Sequence, residues 1–335
     1  MKNQAYLTLS LTFLGSISSS FAQSGKEVRN RIEGTDRPSV PSLTTGAQSG
    51  NENTSAEATS SDTGAQRPIQ LKKKGVSSYF GYDSKYFYRS NPLATDGPLK
   101  QQATGMWTNT FFAGAGLGVF DAENSVITPY IGASWTINDY IEGGLDKFNY
   151  NSTGAYALLL AQFGNGWSVR AGVSYSSDSS SENDTEDYKE YHPNIGVLKS
   201  YSVNESTTAI FDASIGMHNA ESFVITGLTD GSKTASEKEL SNIEYAASYA
   251  LNYNVWNLVV TPKYRISYRA YDEGLNDGRD DLSHDASLKI DYPIADSLKL
   301  SFFYSYSKRN SDGTTLNYDY KSYDAGFGLG LNARF

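Results

Sequence analysis

The chain has 335 residues, a net charge of -9 and no cysteine. Without cysteine it can form neither disulfides nor thiolate metal sites nor a lipid-anchored cysteine, and its acidic balance gives no electrostatic basis for binding nucleic acid. No run of roughly 18 apolar residues exists, which excludes helical membrane spans but not the strands of a β-barrel, because those alternate in polarity.

The first 22 residues predict an export signal. Lys2 supplies the positive start, an apolar stretch follows over about 5–14, and Ser20-Phe21-Ala22 offers small residues at a cleavage site. Residues 23–74 form the next segment, which is rich in Ser, Thr, Gly and Asn and has no apolar periodicity. We expect this segment to be disordered in the periplasm, because it has too few apolar groups to bury.

From about Gly75 onward, polarity alternates with a period of two, which predicts strands with one apolar face. Trp107 and Phe111 share one face, for example, while Thr108 and Thr110 share the other. Several runs exceed the about 5–6 residues of soluble strands and match the ~10-residue spans of membrane barrels. Short connections alternate with long ones. The sequence therefore predicts an all-β, transmembrane, antiparallel up-and-down barrel of about twelve strands over 75–335, with both termini periplasmic.

A secreted β-sandwich is the alternative fold for alternating strands. Aromatic residues favour the barrel, because they gather near both ends of the predicted strands, as expected at two water–lipid interfaces. The set beside short connections is Trp167, Trp256 and Tyr292, and the set toward long connections is Trp135, Tyr268 and Tyr306.

Two stretches resemble the Gram-negative outer-membrane β-barrel proteins, porin-like members included: the leader "MKNQAYLTLSLTFLGSISSSFA" and the closing strand "FGLGLNARF". The resemblance implies location in the bacterial outer membrane, among its lipid and lipopolysaccharide. It also implies a C-terminal signal that the barrel-assembly machinery recognises. The residues that match this signal are Phe327, Leu329, Leu331 and Phe335. No motif assigns the chain to a family within this group.

Inward-facing charges are the candidate functional residues, because lumen side chains tune the selectivity of barrels. The predicted lumen or constriction set is Asp83, Lys85, Arg89, Lys263, Arg265, Arg269, Asp285, Lys289, Asp291, Asp324 and Arg334. One interpretation is that these groups form ion pairs that fill a narrow lumen. The other is a charged constriction, and the basic ladder on the strand of Lys263 then favours small hydrophilic solutes with a mild anion preference.

The predicted function is passive diffusion through an outer-membrane channel, with no enzyme activity, no cofactor and no metal. A plugged barrel acting as a structural or surface-interaction protein is the alternative. An outer-membrane hydrolase using His218 or His284 is a third hypothesis, but neither histidine has the converging nucleophile and acid that catalysis needs. The glycines of "GAGLG" at 114–118 lie inside a strand, which does not fit a nucleotide-binding loop.

Overall fold

A computed structural model describes residues 76–94, 103–142, 144–181, 186–222, 238–313 and 318–335. The predicted export signal over 1–22 and the predicted disordered segment over 23–74 lie outside the described residues. Within the described ranges, no helix is long and apolar enough to cross a membrane.

Thirteen strand segments make up most of the described chain. They are β1 (Ser77–Arg89), β2 (Thr104–Gly116), β3 (Phe120–Ala122), β4 (Ser125–Tyr140), β5 (Tyr150–Phe163), β6 (Trp167–Ser180), β7 (Glu186–Asn204), β8 (Thr207–Ser222), β9 (Asn242–Val255), β10 (Leu258–Tyr271), β11 (Asp280–Ala295), β12 (Leu298–Asp312) and β13 (Tyr320–Arg334). Two short 3₁₀ turns lie at Asp146–Phe148 and Gly274–Asn276.

The strands form one closed antiparallel barrel. Every strand pairs with the next one in the chain, except that β2 pairs with β4 and not with β3, and β1 pairs with β13 to close the sheet. β2 and β3 both pair with β4, so they are two segments of one strand. The barrel formed by the described residues therefore has twelve strands, which confirms the predicted fold class and strand number.

A bulge separates β2 from β3. Gly116 lies opposite Tyr130 and Phe120 lies opposite Ile127, so this strand carries one residue more than its partner. Gly118 has φ +106°, a left-handed conformation that glycine adopts without a steric penalty. Bulges of this kind bend the strand and raise its twist at the rims of barrels.

The two rims of the barrel differ in their connections. One carries the tight turns at 123–124, 164–166, 205–206, 256–257 and 296–297, and we call it the short-turn rim. Both ends of the barrel sequence meet there, because Ser78 and Phe335 exchange backbone hydrogen bonds of 3.1 and 2.9 Å. The opposite, long-loop rim carries the extended connections.

The outer face of the barrel is apolar. Large side chains such as Ile131, Leu159, Val173, Ile195 and Phe302 are exposed there, in the outward phase of their strands. Exposed aromatic residues flank this band, with Trp167 and Tyr292 near the short-turn rim and Trp107, Tyr268 and Tyr323 near the long-loop rim. An apolar band between aromatic girdles is the outer surface of a membrane barrel.

Glycines on the inner face lie beneath large side chains of neighbouring strands. Tyr79 on β1 and Tyr156 on β5 reach toward each other over β2 and β4, and their hydroxyl groups are hydrogen-bonded. The glycines under these two rings are Gly114 and Gly132. A side chain at either position would occupy the space of the tyrosine above it, so the two glycines allow a brace across four strands.

We expect Gly132→Ala to destabilise the barrel by about 1–3 kcal/mol, the usual cost of overpacking a filled interior. A Cβ there would lie 2.6–2.8 Å from two ring carbons and the hydroxyl oxygen of Tyr156. Guanidinium unfolding of the purified barrel in detergent measures the change. Gly164→Ala is the matched control, because a Cβ at this turn has no atom within 4 Å, and it should lie within about 0.5 kcal/mol of the unaltered chain. Equal stability of the two variants would contradict the brace.

Candidate functional site

Charge is distributed unevenly around the lumen. The inward residues of β2, β4 and β5 are polar, aromatic or aliphatic, and within the described chain none of them is charged; we call these three strands the neutral wall. The inward charges of β1 and β6–β13 form the charged wall. Its principal members are Asp83, Lys85, Arg89, Arg170, Asp178, Glu190, Asp212, Glu244, Lys263, Arg265, Arg269, Asp281, Asp285, Lys289, Asp291, Lys299, Arg309 and Asp324.

Glu244 on β9 is the centre of the main ion-pair network in the charged wall. Its side chain is buried, and it accepts hydrogen bonds from Arg265 Nη2 at 2.6 Å and from Arg269 Nε at 2.7 Å. Arg265 Nη1 also lies 3.7 Å from Asp285 Oδ2 on β11. The register explains the network, because Glu244 is directly opposite Arg269 and Arg265 is directly opposite Asp285.

A second buried pair spans three strands. Arg170 on β6 donates to both carboxylate oxygens of Asp212 on β8, with Nη2 at 3.0 Å from Oδ1. The guanidinium crosses β7 above Gly196, where a Cβ would lie only 3.0 Å from Arg170 Cζ. Bidentate Arg–carboxylate pairs of this kind are the strong class of charged hydrogen bonds.

A third cluster of charged residues lies at the long-loop rim beside β10–β12. Arg279 is fully buried and donates to Asp281 through Nε at 2.8 Å and Nη2 at 2.7 Å. Its guanidinium lies 4.5 Å from the ring centre of Tyr271 and 3.6 Å from that of Tyr318, within cation–π range. Arg309 Nε lies 3.8 Å from the same aspartate. This cluster holds the connection after β10 against the barrel wall.

An apolar cluster lies at the long-loop end of β1, β2, β4 and β5. It contains inward residues of these strands together with residues of two connections that fold over them. Its buried members are Phe87, Leu93, Met106, Tyr140, Leu145, Phe148 and Tyr150, and Phe303 packs against them from β12. We call it the loop-end cluster. Leu93, Leu145 and Phe148 belong to connections, so alternation in the strands does not predict that they join the cluster.

The predicted lumen residues all occupy inward positions, but they are spread along the height of the barrel. Arg89 and Asp324 form an ion pair of 2.7 Å between the first and last strands. Lys289 and Asp291 pair at 2.8 Å on one strand. Arg334 is exposed at the short-turn rim. The predicted set therefore includes several separate pairs, and a role for these residues in solute selection stays a prediction.

Glu244, Arg170 and Glu190 are buried charged residues of the wall that were absent from the predicted set. Glu244 stands in the inward phase of a strand with clear alternation, so its orientation could have been read from the sequence. The ion-pair partners of these residues could not be read from the sequence, because they depend on the register between strands. The tight packing of His192 against His218 likewise has no signal within either strand.

Comparisons with known proteins return fold similarity only. No protein-family model and no curated protein sequence matches the chain. Among solved structures, an outer-membrane channel from Pseudomonas putida F1 is 8% identical, covering 80% of this chain and 100% of that one with a TM-score of 0.48. The β domain of the Bordetella autotransporter BrkA is 10% identical, covering 76% and 99% with a TM-score of 0.44. The Acinetobacter baumannii outer-membrane channel DcaP is 13% identical, covering 78% and 98% with a TM-score of 0.37.

The class of protein follows from the structure of this chain itself. A closed barrel with an even strand number, an apolar outer band and aromatic girdles is the architecture of bacterial outer-membrane proteins. The chain is therefore an outer-membrane β-barrel protein.

We expect Glu244→Gln to destabilise the barrel by about 3–5 kcal/mol, the usual cost of removing one partner of a buried ion pair. The change would leave Arg265 and Arg269 without their shared carboxylate. Glu221→Gln is the control, because Glu221 pairs with Lys189 at 2.9 Å in side chains that are 30% and 32% exposed, and exposed pairs contribute about 0–1 kcal/mol. Guanidinium unfolding in detergent compares them, and equal losses would show that the Glu244 network is not special.

Proposed function

We propose that the protein is a passive channel for small hydrophilic solutes across the outer membrane. The observation that carries the proposal is the charged wall, since a barrel needs no ordered rows of both signs merely to span lipid. Charged rings and rows are the elements by which pores select ions and polar solutes. The neutral wall opposite offers hydroxyl groups, such as the Thr110–Thr136 pair at 3.0 Å, that can replace part of the hydration of a passing solute.

We also propose a mild anion preference. The ladder on β10 presents Lys263, Arg265 and Arg269 to the lumen. Its excess positive charge is limited, because Arg265 and Arg269 share Glu244. Acidic members of the charged wall offset the remainder, which is why the preference is expected to be small.

A plugged barrel is the second candidate, and the loop-end cluster favours it. Leu93 and Phe148 are buried among inward side chains, so two connections occupy space that a wide pore would leave to water. Such a barrel would serve as a structural or surface-interaction protein. The proposed placement of the long-loop rim on the cell surface, beside lipopolysaccharide, suits either candidate.

We propose that assembly depends on the closing strand. Phe327, Leu329 and Leu331 are exposed on the outer face, and Phe335 is exposed at the short-turn rim, which we place on the periplasmic side. The barrel-assembly machinery would then meet an apolar row that ends in an aromatic residue. This role stays a prediction for these four residues.

A hydrolase is the least supported function. His284 faces outward on β11 and its Nδ1 lies 2.6 Å from the Tyr264 hydroxyl, while the neighbouring Asp285 faces inward. His218 lies in the lumen against Glu190 and His192. These contacts do not bring a nucleophile, a base and an orienting acid together.

The channel proposal predicts stepwise conductance of the purified full-length protein in planar bilayers, with a reversal potential that shows a slight anion preference in a salt gradient. Removing two lumen cations in Lys263→Gln/Arg265→Gln should move the reversal potential toward cations. The matched control is Lys308→Gln/Lys321→Gln, which removes two opposed lysines from the outward phase of β12 and β13 and should leave selectivity unchanged. Cation selectivity of the unaltered protein would contradict the anion preference. An absence of conductance in the unaltered protein would contradict the channel function.

The loop-end cluster predicts a conductance effect of its own. Leu93→Ser/Phe148→Ser should raise single-channel conductance, because the loss of apolar packing releases two connections from the lumen. Leu158→Ser/Leu160→Ser is the control, since these buried residues belong to a separate cluster with Tyr130. If the unaltered protein is silent and only the first variant conducts, the plugged barrel is the correct alternative. Equal conductance of all three proteins would show that the cluster restricts nothing.

A further inference from the structure

Two histidines and a glutamate meet on the inner face of β7 and β8. Glu190 and His192 are two residues apart on β7 and therefore share a face, and His218 reaches them from β8. All three are buried, with 6%, 3% and 9% of their surface exposed. The imidazole rings stack with centroids 3.9 Å apart and planes inclined by 17°. One ligand atom of each residue lies within 4.8 Å of the other two.

Two nitrogen atoms of this cluster lack a hydrogen-bond partner. His192 Nδ1 and His218 Nε2 are both buried, and no group among the described residues pairs with either. A buried polar atom without a partner costs about 1–3 kcal/mol. A stack of two imidazoles accounts for the ring spacing, but it leaves both nitrogens unsatisfied, so packing alone is an incomplete explanation of the cluster.

The other nitrogen of His218 faces the carboxylate of the cluster. His218 Nδ1 lies 3.1 Å from Glu190 Oε1. Two ligand atoms of one tetrahedral zinc ion are about 3.4 Å apart, so an ion bound between these two atoms would replace their hydrogen bond with little movement.

Gly216 gives the cluster its space. This residue on β8 faces inward beside His192, and a methyl group on it would overlap the His192 ring at Nε2. The glycine allows the ring to lie flat on β8, where it stacks on His218. The backbone therefore places the two imidazoles together before any ligand arrives.

We propose that Glu190, His192 and His218 form a binding site for a divalent transition-metal ion, with Zn²⁺ as the best match. Two imidazoles and one carboxylate are a common ligand set for zinc, with bonds of about 2.0–2.2 Å and a position left for water. Such bonds place the ligand atoms about 3.4 Å apart, so ring rotation would have to bring together atoms that now lie within 4.8 Å of one another. Mg²⁺ and Ca²⁺ prefer oxygen ligands and should bind poorly. The inference does not rest on the channel function, since a plugged barrel would hold the same site.

The test is a calorimetric titration of the full-length barrel in detergent with ZnCl₂, using an affinity tag without histidine. We expect one ion per chain and no detectable heat from MgCl₂. His192→Gln and His218→Gln should each weaken zinc binding by more than about 100-fold. Substituting a residue that only hydrogen-bonds to a metal ligand already costs about 10–100-fold, and these two changes remove a ligand itself. His284→Gln is the matched control, because the chain has only three histidines and this one faces outward, and its affinity should be unchanged.

Two further measurements test the proposal even if a histidine variant fails to fold. Gly216→Ala keeps every ligand but displaces the His192 ring, so it should weaken binding as well. Co²⁺ added to the unaltered chain should give visible d–d absorption of a low-coordinate nitrogen–oxygen site, and Zn²⁺ should abolish it. Absence of zinc binding by the unaltered chain, or unchanged binding in His192→Gln, or loss of binding in His284→Gln, would overturn the proposal.

Discussion

The hydrogen bonds between β1 and β13 are the constraint on which the rest of this structure depends. In lipid, an open sheet edge would leave a row of backbone groups without partners at several kcal/mol each. Residues far apart in the chain, such as Tyr79 and Arg334, must therefore become neighbours. Closure fixes which residues face inward on every strand, because the side-chain period is two and a slip of one residue would turn a strand's charges toward lipid.

Closure also determines what can lie on the inner surface. Large side chains need room above adjacent strands, and at several positions glycine supplies it. Asp83 lies over Gly330, Arg170 over Gly196 and His192 over Gly216. At these positions long side chains pack on glycine. Most ion pairs of the charged wall join neighbouring strands, whereas Arg170 reaches across β7 to Asp212.

The sequence was sufficient for the architecture and insufficient for the site. Alternation gave the strands, their inward faces and the two kinds of rim, because lipid imposes a strict pattern on each strand separately. The partners of Glu244 and the stacking of His192 on His218 depend on register and on side-chain reach between strands, which leave no pattern within one strand. The loop-end cluster was missed for another reason, since Leu93 and Phe148 stand in connections where a single apolar residue is no signal.

The neutral wall has a mechanical consequence. Ion pairs tie β1 to β13, β6 to β8, and β9 through β11, so this side of the cross-section is cross-linked by charge. On the neutral side, the tyrosine pair above Gly114 and Gly132 is the long brace among the described residues, and the remaining contacts are those of hydroxyl groups and rings. A tube that is stiff on one side and compliant on the other deforms into an ellipse under lateral pressure. The tension of the bilayer would then act on the cross-section of the lumen through the neutral wall, whose inward residues in the described chain are uncharged.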